Sequence, residues 1–300
     1  KHGKFKVLKI KKSKSLDEVL AKYRKHEKVA YAVENTLCYA QWEPNDPLYS
    51  PYQWNFENFR YGGINIEFAW DITTGSSDVT VAALDTGVAH DAPDFSHTIF
   101  VPGRDYINND NDPYDDEGHG THVAGTIAQS TNNGLGVAGV APNTKIMPIK
   151  VLDAAGTGDA ASLASGLIWA TDNGAKVINM SLSWPSCYNP GFAVYDAIAY
   201  AAANGVTLVA AAGNDGSSCV NYPAAYEEVI AVGATEYREK RAYYSSYGTA
   251  LDLTAPGGDV RVDRNRDGLV DGIVQQTFGD GYRWGYYLYQ GTSMASPHVA

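Results

Sequence analysis

The sequence predicts an α/β protein built on a doubly wound, mostly parallel sheet. From Asp78 onward, short apolar runs alternate with longer helical segments, the pattern of strand–crossover–strand units. The residues with the most chemical potential, Asp85, Ser181 and Asn214, each follow the end of such a run. Functional loops of open α/β sheets gather at the carboxyl ends of strands. In order, strands are expected over 79–85, 146–152, 176–182, 206–212 and 229–235, and helices over 119–129, 160–173 and 191–204. The first strand, Val79-Thr-Val-Ala-Ala-Leu-Asp85, ends on a carboxylate. The first of these helices opens on a histidine, in Gly118-His119-Gly-Thr-His122. Val206-Thr-Leu-Val-Ala-Ala-Ala212 reads as a buried strand that stops at the turn Gly213-Asn214-Asp215-Gly216.

The N-terminal stretch differs in character. Lys4–Ile10, Leu16–His26 and Val29–Val33 read strand, helix, strand. Phe5, Val7 and Leu8 supply the apolar side of the first element, and Val19, Leu20 and Tyr23 that of the helix. Residues 1–38 hold eleven Lys or Arg against four acids, a net of +7, whereas the rest carries 12 basic and 30 acidic residues, a net of −18. A basic run can serve nucleic acid, but beside so acidic a remainder it reads better as an accessory segment docked on its own chain, with no nucleic-acid partner. Three hundred residues suffice for one large core or two domains. No run of eighteen apolar residues encodes a membrane span. Of the three cysteines, Cys187 and Cys219 fall in two loops that flank the expected site, either paired or as buried thiols, and Cys38 has no obvious partner.

Ser293, in Gly291-Thr-Ser-Met-Ala-Ser-Pro-His-Val-Ala300, is a candidate nucleophile. A serine hydroxyl needs a base to remove its proton, and an imidazole base needs a carboxylate to fix its tautomer and stabilise its cation. Asp85, His119 and Ser293, spaced 34 and 174 residues apart, supply acid, base and nucleophile in that order. Lipase-like chains run Ser, Asp, His and trypsin-like chains His, Asp, Ser; Asp, His, Ser is the order of subtilisin. Asp85-Thr-Gly87 alone would fit an aspartic protease, but no second Asp-Thr-Gly or Asp-Ser-Gly follows. His119 and His122 do not make the helical zinc pair, which needs Glu after the first His, where Gly120 stands.

Together, Asp85-Thr-Gly87, His119-Gly-Thr-His-Val-Ala-Gly125 and Gly291-Thr-Ser-Met-Ala-Ser-Pro297 resemble the three active-site segments of the subtilase family, over residues 45–300 and nearest to thermitase-like members. The resemblance implies a secreted, monomeric serine endopeptidase acting on extended polypeptides, with no membrane partner. It implies that Asn214 and the Ser293 N–H hold the oxyanion. Gly156, Thr157 and Gly158 would pair a substrate strand through main-chain bonds, and Ser181, Leu182 and Ser183 would form the other wall. Subtilisin-like chains often carry two glycines where Ser183 and Trp184 stand, so the primary pocket is expected to depart in shape. Residues 1–40 resemble the second half of an inhibitory propeptide of ferredoxin-like α+β shape, preceding a peptidase domain over 41–300. Maturation would fall between Cys38 and Asn45. The chain reaches Ala300 within the helix behind the nucleophile, so it resembles a fragment, inert by itself, of a longer precursor whose parent is an active enzyme.

The resemblance also implies calcium. One site would use Asp46, Asp94 and Asn133 with carbonyls of Ser130, Leu135 and Val137; another would use Asp105, Asn108, Asp110 and Asp112. A third candidate stands on its own pattern. Asp263-Arg-Asn265-Arg-Asp267-Gly268-Leu-Val-Asp271 has oxygens at positions one, three and five and Gly at six, as a calcium loop requires. Glu at position twelve is missing. Gln275 lies one residue late, and Asp271 at nine substitutes.

Overall fold

The computed structural model describes residues 5–11, 13–36, 42–57, 62–279 and 281–300. The chain divides into two compact units, Lys1–Gln41 and Trp42–Ala300. Cys38 and the first half of the expected maturation window, residues 38–41, lie outside the described residues.

In the first unit one helix forms, α1 (Leu16–Arg24). Ser15 caps it: its hydroxyl accepts from the Glu18 amide at 3.2 Å, and the Glu18 carboxylate reaches back to the Ser15 amide at 3.4 Å. This reciprocal box satisfies two of the donors that a helix start leaves free. The strands expected over 4–10 and 29–33 do not form among the described residues. A strand needs a ladder partner and a face to bury; here Phe5 and Val7 are 84% and 73% exposed. The two segments meet instead through the rings of Phe5 and Tyr31, 6.2 Å apart, and Arg24 Nε donates to the Ala32 carbonyl.

The second unit starts with two short helices, α2 (Tyr49–Tyr52) and α3 (Ile66–Trp70). Its sheet contains β1 (Thr80–Asp85), β2 (Ile99–Phe100), β3 (Arg104–Asp105), β4 (Lys145–Lys150), β5 (Val177–Met180), β6 (Thr207–Ala211), β7 (Val229–Thr235) and β8 (Leu253–Pro256). The order is β2-β4-β1-β5-β6-β7-β8, with β3 also on β4, and every pairing is parallel. Helices α4 (His119–Ala128), α5 (Ala160–Asp172), α6 (Phe192–Ala203) and α7 (Thr292–Val299) cover it. An antiparallel hairpin, β9 (Ile273–Gly279) and β10 (Arg283–Tyr289), lies before α7.

Alternation along β1 explains the two layers. Ala82 and Leu84 pack into one core with Leu163 and Leu167 of α5 and Ile198 of α6. Val81 packs into another with Val123 and Ile127 of α4 and Met294 of α7. Each strand therefore buries both faces, as parallel strands under helices do. The chain leaves β1 for β4 on one side and then crosses to β5 on the other. The carboxyl ends of β1 and its neighbours accordingly open a crevice. Asp85 lies opposite Lys150 in register, and Ser181 and Asn214 follow β5 and β6 at the same edge.

Candidate active site

Asp85 ends β1, fully buried, and His119 is the first residue of α4. Their side chains meet at 2.7 Å, His119 Nδ1 to Asp85 Oδ1. The same oxygen accepts the Thr86 amide at 2.8 Å. The approach requires glycine at 120: a Cβ there would lie 2.1 Å from the Gly87 carbonyl oxygen. Burial disfavours the imidazolium, but the Asp85 charge and hydrogen bond outweigh it and push the His119 pKa up to about 9. The ring remains a quarter exposed, on the crevice side.

Asp115, which the sequence reading passed over, ties these two elements together. It is fully buried. Its Oδ1 accepts from Thr86 Oγ1 at 2.8 Å and from the amides of Glu117 and Gly118. Its Oδ2 accepts from the Thr121 amide and hydroxyl. Thr86 Oγ1 in turn accepts the Gly120 amide at 2.9 Å. The free amides at the start of α4 are thus shared out: Asp115 takes those of Gly118 and Thr121, Thr86 Oγ1 that of Gly120 and Glu117 Oε2 that of His119, and Asp115 also grips the end of β1 through Thr86. Lys150, also buried, donates to the carbonyls of Thr86 and Leu152 and to Asp116. A charged residue closing an apolar strand was the available sequence signal for Lys150; an Asp three residues before Gly118 was the signal for Asp115.

Ser293 is the second residue of α7. Its hydroxyl donates to the Ser181 carbonyl at 3.0 Å rather than to His119. Ser181 Oγ returns a bond to the Ser293 carbonyl at 2.8 Å and accepts from Asn179 Nδ2. Asn214 Oδ1 accepts both the amide and the hydroxyl of Thr292, at 2.9 and 3.0 Å. With Oδ1 occupied, Asn214 keeps its Nδ2 protons for another acceptor. Thr292 is a second residue that the sequence reading missed.

A cleft of about 420 Å³ opens beside His119. All six residues expected to bind substrate, Gly156, Thr157, Gly158, Ser181, Leu182 and Ser183, line it, joined by Trp184. Trp184 is fixed by its amide, which donates to the Tyr222 carbonyl at 2.8 Å. Cys187 and Cys219 form a disulfide across the two loops behind this wall.

The three acidic regions differ. Asp46 and Asp94 are both buried. Asp46 accepts the amides of Asn132 and Asn133; Asp94 accepts Asn133 Nδ2 and the Val137 amide, and its carbonyl accepts the Ser130 amide. The Leu135 amide donates to Asn133 Oδ1. Among the described residues no ion pair neutralises either carboxylate. Burial, with the Asp46 charge adding to it, pushes the Asp94 carboxyl up to about 7. In the second region, Asp105 accepts from the Ile107 and Asn108 amides and from Asn108 Nδ2, and Asp110 accepts the Asp112 amide. Arg104 bonds Asn109 and Asn111 across that loop. In the third, Asp263, Asn265 and Asp267 each cap amides of their own loop. Among the described residues no three His, Cys, Asp or Glu side chains converge as a preformed metal cage, and no helix is long and apolar enough to cross a membrane.

Residues 76–300 match the model of the subtilase family of peptidases. A thermophilic serine proteinase of Bacillus sp. (strain AK1) is 41% identical over 298 residues, covering 99% of this chain and 67% of that protein. Thermitase of Thermoactinomyces vulgaris is 38% identical over 257 residues, 86% of this chain and 82% of thermitase. A protease structure from Pseudoalteromonas arctica PAMC 21717 superimposes with a TM-score of 0.75 at 38% identity, covering 86% of this chain and 84% of the other.

Proposed function

We propose, for a chain that belongs to the subtilase family of serine endopeptidases, that Ser293 attacks the scissile carbonyl with His119 as its base. Asp85 orients the imidazole and stabilises the imidazolium that forms in that step, and the observation that carries the reading is its 2.7 Å bond to His119 at the rim of the cleft. An extended polypeptide lies along Gly156–Gly158 as an added strand, its side chain before the cut entering the space bounded by Ser181–Ser183. Trp184 narrows that space where smaller residues would leave it open. Substrate binding turns the Ser293 hydroxyl from the Ser181 carbonyl to His119 Nε2. His119 takes the proton as Oγ bonds to the carbonyl carbon. The developing oxyanion accepts from Asn214 Nδ2 and the Ser293 amide, donors that need no reorganisation because Thr292 already holds Asn214. His119 then protonates the leaving amine, and a water deprotonated by His119 releases the acyl group.

Calcium fits the Asp46–Asp94 region. Two buried carboxylates that repel each other, without an ion-pair partner among the described residues, are stabilised by a hard cation that takes oxygen ligands. Asp46, Asp94, Asn133 and the carbonyls of Ser130, Leu135 and Val137 would hold it, giving folded-state stability and no chemistry. The region of Asp105, Asn108, Asp110 and Asp112 fits less well, since the Arg104 guanidinium lies across it, bonding Asn109 and Asn111. Residues 1–40 act as part of an inhibitory propeptide, their +7 charge attracted to a −18 remainder. The Cys187–Cys219 disulfide supports an oxidising, extracellular setting.

One experiment tests both arms. A fluorophosphonate is expected to label the full-length parent enzyme at Ser293, and Ser293→Ala or His119→Ala to abolish labelling together with peptide hydrolysis. A peptide of residues 1–40 is expected to slow labelling of the peptidase domain, less so in high salt. Hydrolysis near the parent rate in Ser293→Ala overturns the mechanism; labelling that the peptide leaves unchanged overturns the inhibitory role.

A further inference from the structure

The loop before β9 carries chemistry that proteolysis does not use. Asp271, its last acidic residue, is 1% exposed. One oxygen, Oδ2, accepts the Arg264 amide at 2.9 Å; the other, Oδ1, is buried with no hydrogen-bond partner. The carboxylate closes the loop that carries Asp263 and Asp267, and its Oδ2 is bound to that loop's backbone. The cations nearby are engaged elsewhere: Arg261 pairs with Asp259 and Arg264 with Glu236. Gln275, the alternative ligand in the sequence, is unsuited, because its amide is buried against the Ala138 carbonyl. A buried carboxylate oxygen left without a hydrogen bond is costly unless a cation takes it.

We infer that the loop from Asp263 to Asp271 is a calcium site in its own right, holding the ion with Asp263, Asn265, Asp267, the Leu269 carbonyl and Asp271. Gly268 takes the position-six turn at φ +94°, where a side chain would be strained. The ligand oxygens at positions one, three and five already accept amides of the loop, which pre-shapes it for the ion. The anchor of the site is continuous with the nucleophile segment. The Asp271 carbonyl accepts the Asp259 amide, and the Gly257 carbonyl accepts the Gly291 amide two residues before Ser293. Calcium here would therefore tie down the strand end against which the Ser293 turn is built.

The test uses the full chain made inert by Ser293→Ala, so that self-digestion and the proteolytic reading play no part. Bound calcium is counted after dialysis against graded calcium, in this parent, in Asp263→Asn/Asp267→Asn, and in Asp94→Asn. Both loop positions are exposed, and Asn preserves an acceptor for the loop's turns while removing the charge. The loop variant is expected to bind one calcium fewer, or to bind it more than tenfold more weakly, and this loss is expected to add to that of Asp94→Asn. In the parent, added calcium is expected to shift the amide resonances of Arg266, Gly268 and Leu269, whose N–H groups donate to the ligand side chains. An unchanged calcium count and affinity in the loop variant overturns the proposal. So do unmoved amide resonances at saturating calcium, whatever the variant does.

Discussion

At the scale of single residues, the site depends on pairs in which one side chain determines what another can do. Asp85 and His119 are such a pair: burial alone would lower the imidazole pKa, yet the carboxylate raises it to about 9. The neutral imidazole is the base, so kcat/KM is expected to rise with pH through a limb well above 6.5, the ordinary histidine value. Asp85→Asn removes the anion and leaves the burial, so the His119 midpoint is expected to fall below 6.5. Titrating the His119 ring resonances in the Ser293→Ala chain, with and without Asp85→Asn, reads both values. A midpoint at or below 6.5 in the presence of Asp85 would contradict this electrostatic account. Asn214 and Thr292 form the second pair, in which the hydroxyl and amide of Thr292 orient the Asn214 amide. That pair was only half legible, because the sequence displays Asn214 in a turn but does not reveal which side chain fixes it.

At the scale of elements, α4 matters most, since its first residue is the base. Asp115 satisfies the start of that helix and the end of β1 simultaneously. Asp115→Asn keeps the volume but offers one acceptor oxygen in place of two, so buried amide or hydroxyl donors lose partners. Each such loss costs about 1–3 kcal/mol. Stability is expected to drop by about 2–4 kcal/mol. Where the variant remains folded, kcat is expected to fall about tenfold or more with KM little changed, because a displaced imidazole impairs the transition state more than substrate binding. A variant with parent kcat and parent urea midpoint would refute the role. The elements that were legible in sequence were the buried ones: β1, β4, β5, β6 and β7 with α4, α5 and α6 declare themselves by continuous apolar runs and helical periods. The β9–β10 hairpin was not read, because buried Gln275, Gln276 and Thr277 interrupt the apolar pattern, and β8 was not read, because only its last two residues, Ala255 and Pro256, are buried. The two N-terminal strands were read where none forms among the described residues, because Phe5, Val7 and Leu8 supply a strand's composition without a described ladder partner to complete it.

At the scale of the whole molecule, three histidines tie stability to pH with opposite signs. His122 and His298 are buried and neutral, with burial lowering their pKa values to about 3 and about 4. His122 stacks on Tyr289 with centroids 4.4 Å apart, and His298 lies between the Met294 carbonyl and Asn55 Nδ2, so that Nδ1 donates and Nε2 accepts. Protonating His298 would set an N–H against an amide N–H. Between about pH 4 and 6.5 the unfolded chain binds more protons at these two sites than the folded one. Stability therefore rises with pH there, by up to about 1.4 kcal/mol per unit for each ring. His119 acts in the reverse direction. Its folded pKa lies above 6.5, so its contribution is complete below 6.5 and is lost as pH rises toward about 9. Stability is thus expected to peak near pH 6.5, although catalysis improves well above it, because the same Asp85 charge that readies the base stabilises its protonated form. Urea midpoints of the Ser293→Ala chain across pH 4–9, with calcium saturating so that Asp46 and Asp94 stay ligated, would trace this dome. His298→Asn is expected to flatten its acid side, and Asp85→Asn its alkaline side. An acid side as steep in His298→Asn as in the parent would assign the acid lability to other groups.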